Sequence, residues 1–199
     1  MRIDEISQRV VWHASYTPDI TKFRFLTHLG TWNAAAERAL SKDFYADMLN
    51  TGDTPNVYMY EVDMRQCHKG IQVMDDPDFG DPMDHLFYNR RKMPKDVEHL
   101  LEVQHDEYVL RSELPKMFAQ HKISYLWYFN RVESPRSKSY IVLDPECFEI
   151  TGVQKINAVN LLHADPKLVD LLIKRGIWPP HWREKIKKHL DMQRAEQKG

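Results

Sequence analysis

The sequence predicts an α+β fold in which strands and helices are grouped rather than alternating. Three observations carry this expectation. Residues 56–64 (NVYMYEVDM) have a period of two, the mark of a strand, and follow an Ala-rich stretch with helical spacing. Residues 125–129 and 140–143 are rich in aromatic and β-branched side chains and come late and close together. After Gly152 the spacing turns helical. A doubly wound parallel sheet would instead need strands and helices in regular alternation.

The elements follow in order. Residues 10–12 (VVW) are a short β-prone run that ends in His13-Ala14-Ser15, and a loop with Pro18 leads to residues 23–26 (FRFL). Residues 32–49 place Ala35, Ala39, Leu40, Tyr45 and Leu49 at helical spacing, and Asn50-Thr51-Gly52-Asp53 stops the helix. In residues 56–64, Tyr58, Tyr60, Val62 and Met64 form one apolar face. Residues 74–93 are acidic and turn-rich with two prolines, which reads as loop with short helical pieces. Residues 95–104 and 113–121 read as short helices, and the polar connection 130–138 joins the two late strands. Residues 140–143 are apolar at nearly every position, so this strand is expected to be central. Residues 157–175 carry helical spacing, Gly176 and Pro179-Pro180 break it, and 181–197 form a final charged helix. The expected division is a core domain over 1–152 and a helical extension over 153–199.

Composition bounds the function. A chain of 199 residues suffices for one domain with a real core. It holds no run of about 20 apolar residues, so no membrane partner is expected, and its first residues do not read as a signal peptide. Cys67 and Cys147 cannot make a disulfide framework and lack zinc-ligand spacing, which suggests a reducing, cytoplasmic setting. The ten histidines are scattered without a His-Glu-x-x-His motif, so no metal is expected. A net charge of −1 offers no global attraction for nucleic acid. The acidic run 75–85 lacks calcium-loop spacing and reads as a solvated loop. The basic run 183–189 reads as a solvated helix face, with an acidic partner, nucleic acid or self-association as the alternatives.

Three segments carry chemistry. The first is Val11-Trp12-His13-Ala14-Ser15, and the second is Leu26-Thr27-His28-Leu29-Gly30-Thr31, leading directly into the Ala-rich helix. The third is Tyr128-x-Asn130-x-x-Glu133, then Ser139-Tyr140-Ile141-Val142-Leu143-Asp144-Pro145. In this order, over about residues 10–150, they resemble the ADP-ribosyltransferase superfamily, in its branch with a His-Tyr-Glu type of site. The resemblance implies a split antiparallel or mixed sheet with flanking helices, NAD as cofactor, and transfer of ADP-ribose to an acceptor with release of nicotinamide. The acceptor could be protein, nucleic acid or small molecule. A Gly-x-Gly-x-x-Gly turn, the Rossmann route to the same cofactor, is missing.

The residue types suit that reaction. Cleaving the nicotinamide–ribose bond builds positive charge on the sugar, which calls for a nearby carboxylate, an aromatic surface and groups that grip ribose hydroxyls. By resemblance His13 grips the adenosine ribose with help from Ala14 and Ser15; alternatively it caps backbone groups at a strand end. His28 stands where the branch has an aromatic Tyr, so stacking on nicotinamide falls to His28, or to Tyr58, Tyr60 or Trp32. Thr27, Gly30 and Thr31 complete the cofactor turn, and Thr31 also suits the N-cap of the following helix. Ser139 occupies the place where the poly-ADP-ribosylating branch has its catalytic Glu. Glu133, six residues earlier, is then the expected carboxylate, against the alternative of a solvated hairpin residue. Ser139 and His28 also leave open a non-catalytic module that binds NAD or ADP-ribose. An RNA 2′-phosphotransferase would require basic residues at the site, for which Arg90-Arg91-Lys92 is the sole candidate run.

Overall fold

Local chemistry starts each element. The Thr31 hydroxyl accepts the Ala34 N–H at 3.2 Å, so Thr31 is an N-cap, as its sequence position predicts. Asp81 and Asp106 do the same for two later helices, accepting from Met83 N at 2.9 Å and Tyr108 N at 2.9 Å. The structure, a computed structural model, describes residues 10–40, 56–73, 81–130 and 137–157, with isolated positions between 170 and 195. In chain order its elements are β1 (Val10–Ser15), β2 (His28–Leu29), α1 (Trp32–Leu40), β3 (Asn56–Asp63), β4 (Lys69–Gln72), α2 (Pro82–Tyr88), α3 (Lys95–Val103), α4 (Glu107–Gln120), β5 (Ile123–Phe129), β6 (Lys138–Val142) and β7 (Glu149–Asn157). Short 3₁₀ turns lie at Arg90–Lys92 and Pro145–Cys147.

The strands form two sheets. One is antiparallel in the order β1-β3-β7, and the other is mixed, β2-β6-β5-β4, with β4 parallel to β5. The α+β class is therefore as the sequence predicts, and β6 is the inner strand expected from its apolar run. Trp12 and Gly30 join the sheets by exchanging both backbone hydrogen bonds, at 2.8 and 2.9 Å.

Two cores result. Leu126, Tyr128 and Ile141 face the helices and pack with Leu86, Val97, Leu114 and Phe118. The opposite face of the mixed sheet, with Leu29, Tyr140 and Val142, packs on Val11, Tyr60 and Val62 of the antiparallel sheet. Each fully buried side chain of this size contributes about 1.5–3 kcal/mol.

Several expectations need correction. β3 has two buried faces rather than one, because α1 packs on β1 and β3 and buries Val57 and Met59 as well. Sequence alternation could not show this, since Val57 and Met59 share their face with Glu61 and Asp63. β4 (KGIQ) and β7 (EITGVQKIN) carry too little apolar signal to be read locally, and pairing with β5 and β3 makes them strands. β7 runs to Asn157, five residues beyond the boundary expected at 152. The second short helix starts at Glu107 rather than 113, because Asp106 caps it and Pro115 is tolerated inside. The far end of the first helix (41–49) and most of 158–182 lie outside the described residues. Between 183 and 195 the described positions are helical, as expected.

Gly70 shows how closely β4 approaches its neighbour. A Cβ there would lie 2.0 Å from the Tyr125 ring, which itself packs edge-on against Tyr140 at 5.6 Å in the inter-sheet core. Gly70→Ala is expected to cost about 1–3 kcal/mol, as overpacking does. Tyr125→Leu in the same chain should recover part of that loss. Urea midpoints of the two variants and the double variant check this; additive losses would mean that the ring is not the obstacle.

Candidate functional site

The junction of the two sheets is also the wall of a cleft. Chain direction sets it up: Leu26 adopts a left-handed backbone (φ 70°), and its N–H and the Thr27 carbonyl both bond to Val142, at 2.8 and 2.9 Å. A bulky residue in this region is uncommon and strained. The turn delivers β2 to the edge of β6 with His28 opposite Ile141. From there Gly30 bridges to Trp12, and Thr31 starts α1 at once.

Four parts of the chain line the cleft. β1 supplies Trp12, His13 and Ala14; β2 and its turn supply His28, Leu29 and Gly30; α1 supplies Ala34, Ala35 and Arg38; the late strands supply Tyr128, Asn130 and Ser139. Its interior room is small, ≈ 50 Å³. That equals roughly three to five water sites, at about 10–15 Å³ each. The wall is tight at Gly30, where a Cβ would lie 3.3 Å from Ala34 Cβ and 3.5 Å from Ser139 Oγ.

His13 Nδ1 donates to the His28 carbonyl oxygen at 2.9 Å. A carbonyl only accepts, so this bond assigns a proton to Nδ1 and leaves Nε2 for other contacts. The two readings of His13, backbone anchor and cleft group, therefore coexist in one side chain. Its ring also packs edge-on to Phe23 at 5.3 Å.

His28 Nδ1 lies 3.2 Å from the Tyr128 hydroxyl. Its Nε2 is shut off from solvent and has no hydrogen-bond partner. Tyr128 in turn stacks on His85 of α2, with ring centroids 5.0 Å apart and planes 20° apart. Burial pushes the His28 pKa well below its ordinary value, and the neighbouring Arg38, His85 and His13 push it the same way. His85 is also lowered, mainly by burial; Asp84 opposes this and Arg38 adds to it. Both imidazoles are thus neutral at neutral pH.

Asn130 and Ser139 close the cleft from the late strands. Asn130 Nδ2 donates to Ser139 Oγ at 3.0 Å, both residues being buried. The Asn130 N–H donates to the Ser137 carbonyl at 2.8 Å and so pins the two ends of the 131–136 connection together. Glu133, the expected carboxylate, falls within that connection and lies outside the described residues.

No protein-family model, curated protein or solved structure matches the chain. The geometry therefore stands on its own residues. Of the expected site residues, His13, Ala14, His28, Gly30 and Ser139 meet in the cleft. Four others do not line it. Ser15 Oγ accepts the Thr17 N–H at 3.0 Å in an exposed turn, and Thr27 serves the pairing with β6. Thr31 caps α1, and Tyr58 packs against the inter-sheet core. The other stacking candidates are also placed elsewhere: Trp32 opens α1, and the Tyr60 hydroxyl donates to the Thr17 carbonyl at 2.9 Å. The aromatic surfaces of the cleft are instead Trp12 and Tyr128, both present in the quoted motifs but not singled out.

Arg38 and His85 were missed as well. Arg38 could have been found, since it lies four residues beyond Ala34 on the same face of α1. His85 carried no local signal, because α1, β3 and β4 separate it from the second motif and α3 and α4 from the third. Arg90–Lys92 form a 3₁₀ turn away from the cleft, where Arg90 faces Glu102 at 3.7 Å and Lys92 Nζ donates to the Gln72 carbonyl at 3.1 Å. Among the described residues no three His, Cys, Asp or Glu side chains group as a metal site, and no helix is long and apolar enough to cross a membrane.

The lowered histidines tie stability to pH. An unfolded His takes up a proton below about pH 6.5, whereas buried His28 and His85 resist it. The unfolded chain then binds more protons, so stability falls as pH drops below 6.5 and stops falling once the folded-state values are passed. Urea unfolding at pH 7.5 and 5.5 should show a loss of up to about 1.4 kcal/mol per pH unit and histidine. His28→Gln should flatten that slope; an unchanged slope would mean that His28 protonates in the folded state as readily as in the unfolded one.

Proposed function

We propose that the protein is a NAD-dependent mono-ADP-ribosyltransferase whose cofactor binds at this cleft. One observation carries the reading. Three segments spread over more than a hundred residues, each chosen for its resemblance to the same superfamily, contribute lining residues to one small cleft: His13, then His28 and Gly30, then Tyr128, Asn130 and Ser139. Segments of a chance resemblance have no reason to converge.

The roles follow from the chemistry. His13 Nε2 is left to hydrogen-bond a ribose hydroxyl, while Nδ1 fixes the ring against the backbone. Trp12 and Tyr128 offer aromatic surface. The positive charge that develops on the ribose calls for a carboxylate, and Glu133 of the third segment is the candidate for that role. Ser139 is occupied with Asn130 beside the cleft rather than offering a carboxylate, which favours transfer of single ADP-ribose units. Water can act as a competing acceptor, giving free ADP-ribose.

A second reading, a module that binds NAD or ADP-ribose without turnover, is favoured by one feature: the described lining of the cleft contains no carboxylate. Nicotinamide release from NAD separates the two. Wild type should release nicotinamide, alone or with cell lysate as the acceptor source. Glu133→Gln should lower the rate by about 100-fold or more, the loss expected for a group acting on transition-state charge. His13→Ala should mainly weaken NAD binding, and Ser139→Ala should stay within a few-fold of wild type. Saturable NAD binding with neither release nor transfer would retire the transferase and leave the binding module.

A further inference from the structure

The cleft has one lining group with a fixed charge among its described residues, and that group is a cation. Arg38 leaves α1 on the same side as Ala34 and Ala35. Helical side chains lean toward the N-terminus of their helix, so the Arg38 stem runs back over the turn that carries those two alanines. Neither alanine has bulk to obstruct it. The guanidinium charge is close enough to His28 and His85 to hold both pKa values down, and the first turn of α1 adds the partial positive charge of its N–H groups. The other basic side chains of the lining, His13 and His28, are imidazoles, with His28 held neutral by its surroundings. Asp84, the carboxylate that acts on His85, does not line the cleft.

We infer that Arg38 is the anion anchor of this cleft and that the group it holds is a phosphate of the bound nucleotide. This rests on the nucleotide reading given above and deepens it: with NAD the anchored group is the pyrophosphate. A guanidinium fork is well matched to two phosphate oxygens.

The test titrates the full chain with three probes: inorganic pyrophosphate, ADP-ribose and nicotinamide. Arg38→Gln should weaken pyrophosphate and ADP-ribose by about 10-fold or more, the usual loss for a charged hydrogen bond, and leave nicotinamide within twofold. Arg38→Lys should fall between, keeping the charge without the fork. Raising the salt concentration should weaken pyrophosphate in wild type more steeply than in Arg38→Gln. Unchanged affinity for both phosphates, an equal loss for nicotinamide, or a wild type that binds neither phosphate would each overturn the assignment. Should Arg38→Gln fail to fold, the same comparison with Arg38→Lys decides it, by a loss of at least threefold for the phosphates alone. Arg38-dependent binding of pyrophosphate by a protein that neither binds ADP-ribose nor releases nicotinamide would retire the NAD reading and keep the anchor.

Discussion

The backbone bridge between Trp12 and Gly30 is the constraint on which the cleft depends. Two hydrogen bonds, at 2.8 and 2.9 Å, hold the edge of the antiparallel sheet against the edge of the mixed one. Edge strands carry unpaired N–H and C=O groups whose burial is costly unless they are paired. Satisfying them here fixes the separation of β1 from β2, and the side-chain bond from His13 to the His28 carbonyl adds a third tie one residue on. Gly30 suits the bridge because the Ala34 Cβ and the Ser139 hydroxyl stand close to where a side chain would be. The cleft is what remains when two sheets are joined at one point and α1 departs immediately afterwards.

Electrostatics inside the cleft follow from burial. Three imidazoles near one guanidinium cannot all be charged in a region poor in water, so the groups able to give up a proton do so. His28 and His85 become neutral hydrogen-bonding groups, and Arg38, which cannot deprotonate, keeps the charge. A concave surface with one fixed cation and neutral donors and acceptors favours an anion carried by a polar, hydroxyl-bearing molecule. A dinucleotide is such a molecule, and so is a ribose phosphate of other origin.

How much of this was legible in the sequence depends on the range over which each signal acts. The Thr31 cap, the β1 run and the two late strands are decided within a few residues, and sequence reading finds them. The inner position of β6 was legible too, because a strand apolar on both sides needs cover on both sides. β4 and β7 were not legible, since their residues become strands through pairing with β5 and β3. The buried Met59 was hidden for a related reason: its cover comes from a helix, not from its neighbours in sequence. His28 was read as a stacking surface, whereas its ring is held by Tyr128, a hundred residues later.

The sequence by itself determined the α+β class, the local starts of several elements and the three segments expected to carry chemistry. Those features depend on side-chain periodicity and on hydrogen bonds between near neighbours, which a linear chain already contains. Only the tertiary structure decided which members of the segments share a cleft. His13, His28 and Ser139 enter it, whereas Ser15, Thr27 and Tyr58 are taken up by a turn, a strand pairing and a core. The same is true of Arg38 and His85, whose proximity to the motifs is made by packing. Charge, burial and pKa depend on distances through space, and the chain has those distances only once its two sheets have met.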